Sequence, residues 1–476
     1  MAMPPRRRDA AALAGAVLLG LLAGSAAAQQ PTPFLAPDGT RFLLAPDPTA
    51  VAVHWAVASP GDAAHDPAGR EGLASTLVRA SLQGTWRTGS RDPGREREAM
   101  MWLDEAWQRL LRNGSDTVAA EDVRRWDEQA RELADPQAFQ RRLAAAPAWR
   151  PETRELGPAN VLALTTTRAG IAAVAALLVE RREDCALRNL PRTWLQTLQE
   201  RNLARAADPQ RALRAELVAL TLPGTPAART VNAPESGLPP RDLAAATWAL
   251  TQHPTATVHA LIGDFDLDAT RAILARAFAA TKLPTPARAA VQPPQPLAGI
   301  RRSTVRGVAA PAVAVGWLLP PLADDETLAA ACAWLGHGAD GFLVRRLRQT
   351  RGDGCRIRVT APWPALVGEP TLLVVVVTDP RSLTGLADDL LTACRAAVDA
   401  APPSAELDDV QRERVHRWLE RDRDPRDQAI ELAAHALAWP RQTARLGAPV
   451  APPPAAVHTL LRAALTRPAA VVEGAP

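Results

Sequence analysis

The sequence predicts an α+β protein made of two homologous α/β sandwich halves joined by a Pro-rich linker, with a helical hairpin inserted in the first half. Three observations predict it. Ala50-Val51-Ala52-Val53-His54-Trp55 and Ala312-Val313-Ala314-Val315-Gly316-Trp317 differ at one position in six. Each lies in an apolar strand-like run, followed by an acidic turn (Gly61-Asp62; Asp324-Asp325) and a helical stretch, the order expected of a duplication. Between the copies, Pro284 to Pro296 is too rich in proline to continue a helix or a central strand and reads as a semi-rigid linker.

In chain order, Arg6, Arg7 and Arg8 form a cationic start, Ala10 to Gly24 an uncharged apolar run, and Ala26-Ala27-Ala28 a small-residue cleavage site. The run is short for a membrane span, which takes about 20 residues. Residues 1–28 therefore read as a secretory signal cut after Ala28, giving an exported, periplasmic protein; an uncleaved signal anchor is the alternative. Residues 31–283 form the first domain and 297–476 the second, with residues 284–296 as the linker. Thr257 to Ile262 reads as a strand closing on Gly263-Asp264-Phe265-Asp266, followed by a helix over Leu267–Ala279. Thr371–Val377 is a continuous apolar run rich in β-branched residues, a buried strand.

Residues 94–147 break the symmetry. Leu103, Trp107, Leu110 and Leu111 mark one face of a first helix, and Val123, Trp126, Ala130 and Leu133 one face of a second. Asn113-Gly114-Ser115 supplies the turn between them, and Asp135-Pro136 interrupts the second helix. The two faces satisfy each other; a partner-docking arm is the alternative.

The formal charge of +4 combines 55 basic with 51 acidic residues, which is no nucleic-acid footprint. Cys185, Cys332, Cys355 and Cys394 are too few, and too widely spaced, for a disulfide-built fold or a C-x-x-C site. They read as buried small hydrophobes, with a Cys332–Cys394 or other bridge left open.

The frame Gly72-Leu73-Ala74 followed by Leu82-Gln83-Gly84-Thr85 resembles the zinc helix of the insulinase/pitrilysin family of metallopeptidases. Other segments carry the same resemblance. Pro37-Asp38-Gly39-Thr40-Arg41 with Leu43–Asp47 looks like the family's opening hairpin, and Asp242–Asp266 like its helix and strand ending in Gly-Asp-Phe-Asp. Residues 222–236 resemble its Pro-Gly-His-Pro-Tyr-Gly loop, and Leu347–Cys355 its Leu-Arg-Glu-x-Arg-Gly-Leu-Ala-Tyr segment. The helical insert is similar to one in a bacterial, exported subgroup. The resemblance implies that both halves are metallopeptidase-like.

It also implies a site, and the chemistry is missing from it. At the inverted zincin motif H-x-x-E-H this chain has Ser75, Val78 and Arg79. The resemblance places the remaining zinc ligand at Glu200, a vestigial position, and the acid seven residues earlier at Thr193. Of the two residues that hold substrate backbone in the family, Arg351 is kept and the Tyr is Cys355. Zinc hydrolysis needs about three protein ligands and a base. Serine is a poor ligand, valine takes no proton, and arginine never loses its charge. No two of the eight histidines lie three or four residues apart, so no replacement pair offers itself. Ser75 also lacks the Gly-x-Ser-x-Gly elbow of a serine hydrolase.

The expectation is a non-catalytic homologue with neither catalytic residue nor metal, zinc being the family's cofactor but not this chain's. It would act as the partner subunit of an exported zinc peptidase, an intact H-x-x-E-H member of the family, and help form the chamber that holds peptides. The alternatives are a stand-alone peptide-binding protein and a zinc peptidase with non-standard ligands.

Overall fold

The computed structural model describes residues 30–61, 65–207, 209–231, 237–281, 283, 297–308, 310–319, 325–336, 338, 340–360, 372–421, 424–440, 446 and 448–475. The signal segment to Ala28 and the 284–296 linker lie outside the described residues.

Two sheets organise the chain. The first holds β1 (Thr32–Leu35), β2 (Arg41–Pro46), β3 (Val53–Pro60), β4 (Ala148–Leu156), β5 (Ala159–Thr166) and β6 (Val258–Gly263), in the order β1-β2-β6-β3-β5-β4. The second holds β7 (Arg301–Arg306), β8 (Ala312–Leu318), β9 (Arg356–Thr360), β10 (Leu372–Thr378) and β11 (Ala470–Ala475), in the order β7-β11-β8-β10-β9. In each sheet one pair is parallel, β2 with β6 and β7 with β11, and the other pairs are antiparallel. Apart from β1, the two strand orders match pair for pair. The opening hairpin implied by the resemblance forms, with Gly39 at φ 92° in its turn.

Alternation along the strands sends side chains to two apolar faces. On one face of the first sheet, Val53, Trp55, Leu162 and Leu164 pack against α5 (Ile171–Glu183) and α9 (Leu267–Ala277). On its other face Ala56, Ala58, Val161, Ala163 and Ile262 receive Ile430, Ala433 and Leu437 of α14 (Pro425–Ala438). In the second sheet, Val313, Val315, Trp317 and Val375 face α10 (Asp325–Gly336), α11 (Phe342–Arg351), α12 (Leu386–Asp399) and α15 (Pro454–Leu465). Its other face, Ala312, Ala314, Val374, Val376 and Val472, is closed by Leu213 and Leu217 of α7 (Pro209–Thr221). Each sheet is thus capped on one side by a helix from outside its own stretch of strands. Small strand residues let those helices approach: a Cβ on Gly316 would lie 2.7 Å from Leu217 Cδ2.

The first repeated hexapeptide leads into β3, with only Val53-His54-Trp55 inside the strand, whereas the second lies wholly within β8. Trp55 is the third residue of its strand and Trp317 the sixth, although both are buried against the larger helix layer. The insert also differs from the expected hairpin. It is three helices, α2 (Pro93–Arg112), α3 (Thr117–Leu133) and α4 (Ala138–Ala145), because Asp135-Pro136 ends one helix and a third begins after it. Leu103, Ala106 and Val123 form its core with Trp107, Leu110 and Trp126, while Leu111 is 37% exposed and off the contact face. Asp92 and Asp116 cap its long helices. Buried Arg188 ties it to the body, donating to Glu96 Oε1 at 2.6 Å and to the carbonyl of Gln83 at 3.0 Å.

Candidate functional site

The helix carrying the degenerate motif is α1 (Leu73–Ala80), wedged against α6 (Leu190–Ala207) and α8 (Arg241–Thr251). Leu73, Leu77 and Val78 bury against Trp194 and Trp248, which fixes its rotation. The buried Asp66 carboxylate sets its start, accepting from Gly72 N at 2.6 Å and Ala74 N at 2.8 Å. A carboxylate there satisfies free backbone donors and complements the helix dipole. Gly72 is at φ 105°, and a Cβ would meet the Arg201 guanidinium at 2.2 Å.

The three motif positions have been put to other use. Ser75 is buried, donating its hydroxyl to Asn160 Oδ1 at 2.9 Å and accepting from Arg201 Nη2 at 3.1 Å. Val78 is a core residue. Arg79 donates to the Glu200 carboxylate and lies 3.8 Å from that of Glu155, which also pairs with Arg201 at 3.3 Å. Gln196 Nε2 holds the other oxygen of Glu200 at 2.8 Å. The hydrogen bonds from Arg79 and Gln196 keep the Glu200 carboxyl below the usual carboxylate range.

The chain thus brings Ser75, Val78, Arg79 and Glu200 together, and adds Glu155, Asn160 and Arg201. Two guanidinium groups face two carboxylates, so the cluster carries no surplus negative charge to draw in a divalent cation. The space among Ser75, Val78, Arg79, Thr153, Arg154, Glu155 and Asn160 is about 10 Å³, room for about one water. A hydroxyl, an alkyl group and a paired carboxylate are not a zinc donor set. Among the described residues no three His, Cys, Asp or Glu side chains converge as metal ligands would. Thr193 donates to the Asn189 carbonyl one turn back, at 3.0 Å.

The sequence reading did not single out Asn160, Glu155 or Arg201. The signal for Asn160 was available: it is the one amide in the otherwise apolar start of β5, just after the Gly157-Pro158 turn. Arg201 follows Glu200 directly, but only the fold shows both reaching α1.

Arg351 and Cys355 form a second cluster, at the end of α11 and the start of β9. Arg351 is mostly buried, its Nε donating to Asp389 Oδ2 at 2.7 Å and an Nη to the Thr384 carbonyl at 2.6 Å. It thereby ties the end of α11 to the start of α12. Cys355 Sγ lies 3.4 Å from Asp379 Oδ2, and Arg381 spans Asp379 and the Arg351 carbonyl. Burial and the Asp379 carboxylate push the Cys355 thiol up. As placed, Arg351 commits two of its five N–H donors to Asp389 and Thr384. None of the four cysteines is bridged.

Residues 252–413 match the family model described as the peptidase M16 inactive domain. No curated protein sequence matches the chain. A protease from Helicobacter pylori aligns over 94% of this chain and 100% of its own, with a TM-score of 0.67 at 13% identity. A peptidase M16 inactive domain from Pseudomonas fluorescens aligns over 94% and 98%, with 0.64 at 14% identity. The periplasmic protease PqqL from Escherichia coli gives 0.61 at 13% identity over 94% of this chain, which spans 46% of that longer one. At such identities these structures share the fold.

Proposed function

Since this chain is an insulinase-family metallopeptidase-like protein, we propose that it serves as the non-catalytic partner subunit of an exported zinc peptidase and helps form that enzyme's peptide chamber. One observation carries the reading: Arg79, paired with Glu200 and Glu155, sits at the motif position where the family places a zinc ligand. An ion pair there joins α1 to α6 without a metal, keeping the scaffold while removing the Lewis acid and the base. The matching strand orders support two related halves, the arrangement a chamber requires. The charged signal-like start supports export, and none of the described helices is long and apolar enough to cross a membrane.

The test is co-purification of the tagged full chain from its native envelope fraction. The expected result is an intact H-x-x-E-H homologue in the same complex, with peptidase activity that drops when this chain is removed. A lone monomer that leaves the homologue's activity unchanged would overturn the proposal. Measurable peptide affinity by that monomer would instead support stand-alone binding.

A further inference from the structure

Behind α1, the first sheet and its helix layer enclose a small polar cavity. Val57, Leu178, Arg181, Arg182, Gln252, Thr257, His259 and Phe278 surround about 10 Å³ of free space. That is room for a single water-sized sphere.

The polar side chains around it are almost all donors, and several lack an acceptor. Arg181 is 2% exposed. Its Nε donates to Ser81 Oγ at 2.7 Å, Nη1 is 3.5 Å from Gln252 Oε1, and Nη2 has no hydrogen-bond partner. Gln252 Nε2 and Arg182 Nε are also buried without partners. His259 Nδ1 accepts from Trp55 Nε1 at 3.2 Å, so in the neutral ring the proton is on Nε2, a further donor. Leaving buried donors unsatisfied costs about 1–3 kcal/mol each, more when they are charged.

Charge is unbalanced in the same place. Arg182 has Asp38 at 2.7 Å and Glu183 at 3.3 Å. Arg181 has no carboxylate partner among the described residues, only the Trp248 ring at 5.0 Å. The nearby Cys185 thiol does not supply the charge, because burial pushes it up to about 11 and keeps it neutral.

We propose that this cavity is a halide site, in which one chloride accepts from Arg181, Arg182 and Gln252 and neutralises the Arg181 guanidinium. A monatomic anion matches the donor set and the charge and, being somewhat larger than a water, requires a small outward shift of the lining side chains; sulfate, phosphate and carboxylates are far too large. Ser81 Oγ accepts from Arg181 and donates to the Val78 carbonyl at 2.7 Å. Halide binding is therefore wired to the end of α1, and it steadies the helix that carries the altered motif.

The test uses the full chain and sodium chloride or bromide against sodium gluconate at equal ionic strength. Above the dissociation constant, each tenfold rise in chloride should lower the unfolding constant about tenfold, with gluconate inert. Crystals grown in bromide should show an anomalous peak among Arg181, Arg182 and Gln252. Gln252→Leu, which keeps the guanidinium groups, should weaken the halide dependence. Equal unfolding in chloride and gluconate, with no bromide peak, would show that the cavity holds water and overturn the proposal even if the variant failed to fold.

Discussion

Replacing Arg79 by Met and Glu200 by Gln, singly and together, measures the ion pair at the altered motif. The two side chains are 33% and 44% exposed, so their attraction is partly screened. Pairs this exposed are worth about 0.2–1 kcal/mol. Two features place this one near the top of that range. Gln196 already holds Glu200 in position, and Glu155 adds a second carboxylate 3.8 Å from Arg79. A coupling of about 1 kcal/mol, or roughly a fivefold change in the unfolding constant, is expected from the double-mutant cycle. Glu200→Gln leaves Arg79 with Glu155 and should cost less than Arg79→Met, which strips Glu200 of its cation. Urea unfolding of the four proteins, followed by tryptophan fluorescence, reads the coupling, and high salt should shrink it. A coupling indistinguishable from zero at low salt, or one indifferent to salt, would refute the reasoning.

Other outcomes follow from the same geometry. The triple change Ser75→His, Val78→Glu and Arg79→His should bind zinc in metal analysis if Glu200 is the third ligand. Adding Arg201→Ala should tighten it, since Arg201 presses on residue 75; a folded variant without zinc would mean Glu200 is misplaced or the pocket has closed. Leu217→Ala should cost about 2–5 kcal/mol in urea unfolding, because its side chain lies in the fully buried seam under the second sheet. Gly316→Ala should destabilise through the opposite fault, overlap with Leu217. Acid should weaken the fold in two stages. Burial, with Arg182 and Arg181 nearby, lowers His259 well below 6.5, so its contribution is present above 6.5 and lost as pH falls beneath it. Glu200 is depressed below 4.5, so its share persists down to that value and disappears only at lower pH. His259→Gln should flatten the first stage in a pH series of unfolding midpoints, and an unchanged profile would contradict it.

Much of the architecture was readable because local chemistry dictates it. The opening hairpin was implied by the family resemblance of Pro37–Asp47, and β10 by its apolar, valine-rich run, found at Leu372–Thr378. The capping of each sheet by a distant helix was not readable, because alanine-lined strands say that something packs closely but not which segment does. The insert's third helix was missed for a local reason: Asp135-Pro136 ends one helix and leaves room for another to begin. At the site, the lost residues were visible in sequence, but their new partners were not. That Arg79 puts a cation at the expected ligand position is visible in the sequence; that Glu200 and Glu155 balance it depends on contacts spanning more than seventy residues. Arg351 was legible as a residue type, but its partners were not: Asp389 and Thr384, which accept from its guanidinium, lie more than thirty residues further along the chain.

The central claim is that the altered motif is held together by charge pairing and performs no zinc chemistry. Zinc content and chelator-sensitive peptide cleavage, measured on one sample of the purified full chain supplied with zinc, test it most directly. The account predicts far less than one zinc per chain and no cleavage above a control carrying Arg79→Ala. Stoichiometric zinc with cleavage abolished by chelator would contradict it.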